Sequence, residues 1–407
     1  MHTDKRRLKK KIDICVSLTH HLLPGILTMT NRKGVPMRAM MMYELICLAA
    51  LAVFGAVVSA NGADDVRSLP NRQDGTFVPR DFKFQSGEAL PELKLGYTTI
   101  GTPQRDSSGN ITNGVLLLHG TTGTGAAWLA PSFTETLFRE GQPLDAGKYY
   151  LIIADSIGLG RSAKPSDGLK TRFPRYGYRD MVDAQYRLVT EGLGVKHLRL
   201  VVGTSMGGMQ TWLWAERYPD MMDGAVAVAS QPVEISGRNL LWRRVIIETI
   251  RNDPDWQGGN YATPPTHFAL VVPIFTIMTD SATHLQEVAP TREKALAYYD
   301  QIVQSAKRLD ANDYLYRWEA SADYNPEPDL EKIKANILAI NFADDLLNPA
   351  ELKVMERAMA RVKGGRSVLI TPKEKSLGHQ NQSQGALWGP YVAEFLKSLP
   401  GRASVVR

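Results

Sequence analysis

Residues 201–210 form the segment Val-Val-Gly-Thr-Ser-Met-Gly-Gly-Met-Gln, which indicates the fold more clearly than any other part of the sequence. It contains the pattern Gly-x-Ser-x-Gly, which in a nucleophile elbow places serine on a sharp turn between a strand and a helix. Its three glycines remove the Cβ atoms that would block so tight a bend. Residues 197–202 have the apolar pattern of a buried strand, and residues 210–217 have that of a helix. We therefore predict that Ser205 is a catalytic nucleophile whose hydroxyl stands above the edge of a sheet.

The positive charge of the chain is confined to its beginning. The 407 residues carry a net charge of +6 and have a pI near 9.1. Residues 1–60 contain nine Lys and Arg against three Asp and Glu, so residues 61–407 contain 39 of each and are neutral. A protein that binds nucleic acid needs a basic surface for phosphate contacts. The distribution therefore argues against nucleic acid as a partner.

Residues 1–60 are typical of a leader rather than of a folded domain. An apolar run at 45–58 follows basic residues and leads into Val-Ser-Ala, the small-residue pattern of a signal-peptide cleavage site. The run is shorter than the roughly 20 residues that span a bilayer. We predict a signal peptide at about 37–60, cleaved after Ala60 or alternatively after Ala63, and export to the periplasm or the extracellular space. An uncleaved membrane anchor is the alternative.

Both cysteines of the chain, Cys15 and Cys47, lie in this leader. The remaining residues therefore offer no thiol nucleophile, no ligands for an iron–sulfur cluster and no cysteine-based zinc site. Their histidines and carboxylates show no metal-ligand spacing, and no phosphate-binding P-loop occurs. We expect no metal ion and no cofactor.

Residues 61–407 alternate between apolar strand patterns and helical patterns, which favours an α/β fold with a mostly parallel sheet flanked by helices. The alternation stops after the fifth strand, where only helical patterns follow until the sixth. We predict one domain over 61–407, with a helical cap inserted at about 231–335. The candidate strands are 93–101, 115–119, 149–154, 198–203, 224–229, 337–342 and 367–371. The cap helices are expected around 239–251, 268–279, 291–309 and 312–321.

A serine hydroxyl needs a base within hydrogen-bond reach and an acid that orients the base. After an elbow of this kind, the acid is expected behind a late strand and the histidine in a loop before the final helix. The loop after strand 337–342 contains adjacent Asp344 and Asp345, and either fits the position of the acid. His379 precedes the last predicted helix, 385–399. We predict His379 as the base and one of the two aspartates as the acid.

The tetrahedral intermediate of acyl transfer also needs donors for its oxyanion, usually two backbone N–H groups. Met206 follows the nucleophile directly and is expected to supply the first donor. The second is expected on the turn after strand 115–119, which is rich in glycine. We predict Thr121 as this second donor, with its neighbour Gly120 as the alternative.

Four motifs resemble the homoserine O-acetyltransferase branch of the α/β-hydrolase superfamily, and the resemblance covers most of residues 80–398. It implies an α/β-hydrolase fold, an inserted cap and serine-based acyl chemistry. In that family the catalytic aspartate begins the pattern Asp-x-Leu-x-Pro, which Asp345 fits and Asp344 does not. The resemblance therefore implies Asp345 as the acid. The motifs lie at 173–174 with 179–185, 203–210, 253–261 and 309–315.

Three positions depart from the pattern of that family. Its transferases carry Gly-His-Asp, whose aspartate meets the substrate amino group, whereas Gln380 follows the histidine here. In those transferases, an arginine that holds the substrate carboxylate lies six residues before the Asp-Pro of the cap motif, and this position is Ile247 here. Counting from Asn239 instead places the position at Arg243. Residues 155–165 replace a Gly-rich segment by a turn more typical of hydrolases. The resemblance thus marks Arg243 and Gln380 as possible substrate-binding residues.

These observations first predict an exported serine hydrolase that cleaves a carboxylic ester or a related acyl compound through an acyl-enzyme. The alternative is an O-acyltransferase with the same triad, which passes the acyl group to an alcohol as the resembled family does. Export favours hydrolysis, because acyl-CoA donors are cytosolic. A binding protein on a hydrolase scaffold ranks last, because the whole triad is present. The expected partner is a small-molecule acyl substrate, and the oligomeric state stays open, with a homodimer as one possibility.

Overall fold

A mostly parallel β-sheet of eight strands forms the centre of the computed structural model, which describes residues 69–371 and 375–400. The predicted leader and its signal peptide lie outside the described residues. Two further strands form a small separate hairpin. The strands are β1 Gln73–Phe77, β2 Arg80–Lys83, β3 Ala89–Glu92, β4 Leu95–Ile100, β5 Gly114–Leu118, β6 Tyr150–Ala154, β7 Leu198–Thr204, β8 Met222–Val228, β9 Asn336–Phe342 and β10 Gly365–Ile370.

The order in the large sheet is β1-β4-β6-β5-β7-β8-β9-β10. Strand β4 pairs antiparallel with β1 and with β6, and all pairs from β6 to β10 are parallel. All seven predicted strands occur, with ends that differ from the prediction by at most two residues. Strands β1, β2 and β3 were not predicted, because most of their side chains are exposed and they lack an apolar pattern. The predicted α/β fold class is confirmed.

Helices cover both faces of the sheet, and short 3₁₀ and π turns complete the connections between elements. Alternation along β5 shows the two layers, since Leu116 and Leu118 pack into one apolar cluster while Val115 and Leu117 pack into the other. Among the described residues, no helix has the length and apolar character needed to cross a membrane. The helices are α1 Pro131–Phe133, α2 Tyr178–Arg187, α3 Met206–Arg217, α4 Gly237–Arg251, α5 Thr266–Val271, α6 Pro273–Thr279, α7 Ala282–Val288, α8 Arg292–Ala306, α9 Ala311–Glu319, α10 Val354–Met359 and α11 Gly385–Ser398.

Helices α4 to α9 all lie between β8 and β9, in residues 231–335, which we call the cap segment. Their apolar faces form a third cluster that includes Trp242, Phe268 and Trp318. Leu347, from the loop after β9, packs into the same cluster and joins the cap segment to the sheet. The single helix expected at 268–279 is divided into α5 and α6 at Pro273, which has no backbone N–H for a helical hydrogen bond.

Candidate active site

Ser205 occupies a strained turn between β7 and α3. Its backbone has φ 53° and ψ −114°, a conformation that L-residues rarely adopt. The turn is held by a hydrogen bond from the Ser205 N–H to the Val228 carbonyl at 2.9 Å. A Cβ atom on Gly203 would lie 2.0 Å from the Gly207 carbonyl oxygen, and one on Gly207 would lie 2.1 Å from that of Leu118. Glycine is therefore required at both positions if the elbow is to close.

The structure brings together the three side chains that the sequence predicted as a triad. Ser205 Oγ lies 2.8 Å from His379 Nε2, and His379 Nδ1 lies 2.7 Å from Asp345 Oδ2. All three residues are buried. They follow the carboxyl ends of β7, β9 and β10, where ligands bind in open α/β sheets. The arrangement suits transfer of the serine proton to the imidazole and orientation of that imidazole by a carboxylate.

The loop after β9 positions Asp345 rather than Asp344 against the histidine. Asp345 Oδ1 accepts hydrogen bonds from the N–H groups of Leu347 at 2.8 Å and Asn348 at 3.3 Å. The Asn348 side chain donates to Asp345 Oδ2 at 2.8 Å. Asp344 instead accepts a hydrogen bond from Ser376 Oγ at 2.7 Å. Asn348 is a supporting residue that was not predicted, although it lies within the Asp-x-Leu-x-Pro pattern.

The turn after β5 lies beside the nucleophile. A Cβ on Gly120 would be 3.5 Å from the Ser205 Cβ. The N–H groups of Thr121 and Met206, the two predicted oxyanion donors, have no backbone or side-chain acceptor among the described residues. They therefore remain available to a ligand oxygen, as an oxyanion hole requires.

His119 holds this turn in place and does not take part in the triad. Its Nδ1 lies 2.9 Å from the Gly120 carbonyl oxygen, and its Nε2 accepts a hydrogen bond from the Ser156 N–H at 3.1 Å. Burial lowers the pKa of the imidazole, which favours the neutral ring that this pair of contacts needs. A second layer of buried amides supports Ser156 through Gln185 and Gln210.

Arg243, on α4, is a buried cation close to the turn after β5, which carries the predicted donor Thr121 and which we call the oxyanion turn. Its Nε donates to Asn239 Oδ1 at 2.9 Å, and its Nη1 donates to Ser321 Oγ at 3.3 Å. The guanidinium lies 5.0 Å from the ring centroids of both Trp242 and Trp318. Burial lowers its pKa, and Tyr178 is the neighbour that acts in the opposite direction. Its charge faces no carboxylate among the described residues.

Tyr178 connects Arg243 to the oxyanion turn. Burial raises the pKa of its phenol, and the adjacent Arg243 guanidinium and Thr121 hydroxyl oppose this shift. Its hydroxyl is buried and forms no hydrogen bond of normal geometry with the described residues. Tyr178 was not predicted as a site residue, because its neighbours Thr121 and Arg243 come from segments far apart in the chain.

Two glutamines lie within the histidine loop, which forms the 3₁₀ turn Gly378–Ser383. Gln380 is half-buried, and its backbone N–H donates to the Leu377 carbonyl. Gln382 is buried, and its side-chain Oε1 has no hydrogen-bond partner among the described residues. Sequence reasoning did not find Gln382, although the spacing of three residues from His379 matches the period of a 3₁₀ helix.

Comparison with known proteins agrees with this geometry. Residues 113–362 match the protein family described as alpha/beta hydrolase fold. The chain belongs to the α/β-hydrolase family. Within this α/β-hydrolase family it lies in the homoserine O-acetyltransferase-like branch, as the resemblance predicted. A homoserine O-acetyltransferase of Solidesulfovibrio magneticus is 32% identical over 341 residues, which cover 72% of this chain and 83% of that relative.

Two solved structures share the fold of this α/β-hydrolase chain. A homoserine O-acetyltransferase from Bacillus anthracis superposes with a TM-score of 0.70 at 22% identity, covering 82% of this chain and 99% of that one. An acetylester hydrolase from Corynebacterium glutamicum has a TM-score of 0.69 at 22% identity, covering 80% and 96% respectively. The chain is thus an enzyme of the α/β-hydrolase family, of the esterase-like or acyltransferase type.

Proposed function

We propose that the enzyme is an O-acyltransferase that moves an acyl group onto the hydroxyl of an acceptor carrying a carboxylate. Ser205 Oγ attacks the carbonyl carbon of an activated acyl donor while its proton passes to His379 Nε2, and Asp345 orients the imidazole. The N–H groups of Thr121 and Met206 stabilise the oxyanion. The leaving group then takes the proton from His379. In the second half, the acceptor hydroxyl gives its proton to His379 while its oxygen attacks the acyl carbon. The bond between that carbon and Ser205 Oγ then breaks, and His379 returns the proton to Ser205.

Arg243 is the observation that carries this proposal. A buried cation without a carboxylate partner is costly, and such groups mark sites where a ligand supplies the missing charge. Arg243 lies next to Tyr178, which in turn lies next to the oxyanion residue Thr121. An anionic group bound there would lie beside the acyl-enzyme, as the carboxylate of an acyl acceptor must. The hydrolase that the sequence predicted first has less support, because ester cleavage by water gives this charge no ligand.

The identity to homoserine O-acetyltransferases supports the same choice, but Gln380 argues against homoserine itself as the best acceptor. The resembled family has an aspartate for the substrate ammonium at this position, whereas Gln380 is neutral. We therefore propose a hydroxy acid without an amino group as the preferred acceptor. No cluster of three metal-ligating side chains occurs among the described residues, and the mechanism uses none.

Hydrolysis of the acyl-enzyme remains the second candidate, because an acetylester hydrolase from Corynebacterium glutamicum shares this fold. The two reactions share every step up to the acyl-enzyme. They differ only in whether water or an alcohol accepts the acyl group. We also propose, from the leader, that the protein is exported. Outside the cytosol its acyl donors would be extracellular esters rather than acyl-CoA. Fractionation of cells and the N-terminal mass of the mature protein test the proposed export.

Product analysis tests the proposed function directly. The purified protein is incubated with p-nitrophenyl acetate and with 4-hydroxybutanoate, homoserine or 1-butanol, and the products are resolved by mass. We expect the acetyl ester of 4-hydroxybutanoate to exceed free acetate, with less ester from homoserine and least from 1-butanol. Acetate as the only product with all three acceptors, at a rate that Ser205→Ala abolishes, would instead establish a hydrolase.

A further inference from the structure

We propose that Gln382 binds the water molecule that hydrolyses the acyl-enzyme, so that the enzyme has a second activity as an acyl-ester hydrolase. The inference rests on the proposed acyl-enzyme at Ser205, but not on the identity of the acyl acceptor. Gln382 belongs to neither the triad nor the predicted oxyanion hole. Its side chain is nonetheless directed toward both.

The backbone conformation of the histidine loop determines which way the Gln382 side chain points. The 3₁₀ turn Gly378–Ser383 has about three residues per turn, so side chains three positions apart lie on the same side. Gln382 therefore shares the side of the turn from which His379 reaches Ser205. The Gln382 carbonyl oxygen accepts a hydrogen bond from the fully buried Trp388 Nε1 at 2.9 Å, which fixes this part of the loop.

The side chain of Gln382 ends at the oxyanion turn. A Cβ on Gly120 would lie 3.5 Å from the Ser205 Cβ and 3.9 Å from Gln382 Oε1. The absence of a side chain at Gly120 thus leaves open the space that the nucleophile and the amide oxygen both border. Gln382 is only 9% exposed, and Oε1 has no hydrogen-bond partner among the described residues. A buried amide oxygen without a partner is unfavourable unless a ligand or a water molecule completes it.

The number of protons on the attacking molecule decides which ligand suits this oxygen. An alcohol has one hydroxyl proton, which it must give to His379 Nε2. Water has two, so it can donate one to His379 and the other to Gln382 Oε1 at the same time. Two hydrogen bonds fix the direction of its lone pair toward the acyl carbon, whereas an alcohol gains nothing from the amide oxygen.

The hydrolytic step balances with these groups alone. The water oxygen forms a bond to the acyl carbon while one proton passes to His379. The bond between the acyl carbon and Ser205 Oγ then breaks, and His379 returns the proton to Ser205. The second water proton is retained by the carboxylic acid that leaves. Gln382 accepts a hydrogen bond throughout and is not itself changed.

The test separates acylation from deacylation in wild type and Gln382→Met, which removes the amide but keeps the length of the side chain. The burst of p-nitrophenol from p-nitrophenyl acetate reports acylation of Ser205. The ratio of acetyl ester to free acetate, with 4-hydroxybutanoate present, reports the partition of the acyl-enzyme. We expect an unchanged burst and a ratio raised about tenfold, because one hydrogen bond in the transition state is lost for water only.

Two further variants complete the test. Gln384→Met is the matched control, since Gln384 lies two residues on, is half-buried and donates from its side-chain amide to Asn381 Oδ1 at 3.2 Å. It is expected to leave the ratio unchanged. Gln382→Glu keeps an acceptor oxygen on the same stem and should retain hydrolysis within about threefold.

An unchanged ratio in Gln382→Met with a normal burst would overturn the inference. So would equal losses of acylation and deacylation, which indicate a structural role for the amide. If Gln382→Met does not fold, loss of hydrolysis in a folded Gln382→Glu would contradict the inference equally. Absence of both a burst and a covalent acetyl adduct in the wild type would refute the proposed acyl-enzyme instead, so the two failures are distinguishable.

Discussion

The carboxyl edge of the sheet and the cap segment differ in whether their buried charged side chains have charged partners. At the sheet edge, both oxygens of Asp345 and both ring nitrogens of His379 have partners within the protein. In the cap segment, Arg243 is buried among aromatic rings, and the side chains that accept its hydrogen bonds among the described residues, Asn239 and Ser321, are neutral. The triad is fully paired within the protein, whereas the Arg243 guanidinium has no charged partner among the described residues. Under the proposed function, the sheet edge performs the acyl chemistry and the cap segment selects the acceptor.

Removal of the nucleophile has the largest expected effect at the sheet edge. Ser205→Ala should abolish the covalent acetyl adduct and lower turnover of p-nitrophenyl acetate by about 10⁴-fold or more. The midpoint of thermal unfolding should change little, since the mutation removes one hydroxyl. Intact-protein mass spectrometry after exposure to the ester checks the adduct. An adduct that persists at the same stoichiometry would place the nucleophile elsewhere.

The two adjacent aspartates offer a matched pair at the same edge. Asp345→Asn should lower turnover about 10⁴-fold, because the neutral amide no longer stabilises the imidazolium or holds its tautomer. Asp344→Asn should cost no more than about tenfold, since Asp344 contacts Ser376 and not the histidine. Steady-state rates of both variants on one ester decide the matter. Equal losses would show that the loop, rather than Asp345 itself, controls the histidine.

Neutralisation of Arg243 should weaken binding of the acceptor without changing acylation at the sheet edge. Arg243→Met is expected to raise KM for 4-hydroxybutanoate about 10- to 100-fold, the value of lost charge-assisted hydrogen bonds, while the p-nitrophenol burst is unchanged. Thermal stability should stay equal or rise, because an unpaired buried cation is replaced by an apolar side chain. Arg244→Met is the control, since Arg244 is exposed and pairs with Glu248. A stability loss in Arg243→Met without any change in KM would make Arg243 a structural residue.

Introduction of a negative charge at position 380, next to His379, has the smallest expected effect. It should change only the preference between acceptors. Gln380→Asp should shift the ratio of homoserine to 4-hydroxybutanoate acylation toward homoserine by about tenfold, because the new carboxylate can pair with the ammonium. Competition between the two acceptors in one reaction measures this ratio. A ratio that does not move would show that the ammonium of the acceptor lies away from position 380.

The contrast between the regions also explains what the sequence could predict. Ser205, Asp345 and His379 each follow a strand of the parallel sheet, and chain order and local motifs are sufficient to place such residues. The arginine position was ambiguous between Ile247 and Arg243, because α4 carries both one turn apart, and both are buried. Tyr178 and Gln382 escaped prediction because their importance comes from packing between distant segments. Local patterns determine strands and turns, whereas they do not determine which cap residue faces which loop.

Chase of a preformed acyl-enzyme tests most directly the claim that the sheet edge performs the chemistry and the cap segment selects the acceptor. The protein is acetylated with p-nitrophenyl acetate in a rapid-mixing device and then mixed with 4-hydroxybutanoate or 1-butanol, in wild type and in Arg243→Met. We predict that 4-hydroxybutanoate discharges the wild-type acetyl-enzyme much faster than 1-butanol does, and that Arg243→Met removes this difference while it acetylates normally. Equal discharge by both alcohols in the wild type would contradict the account.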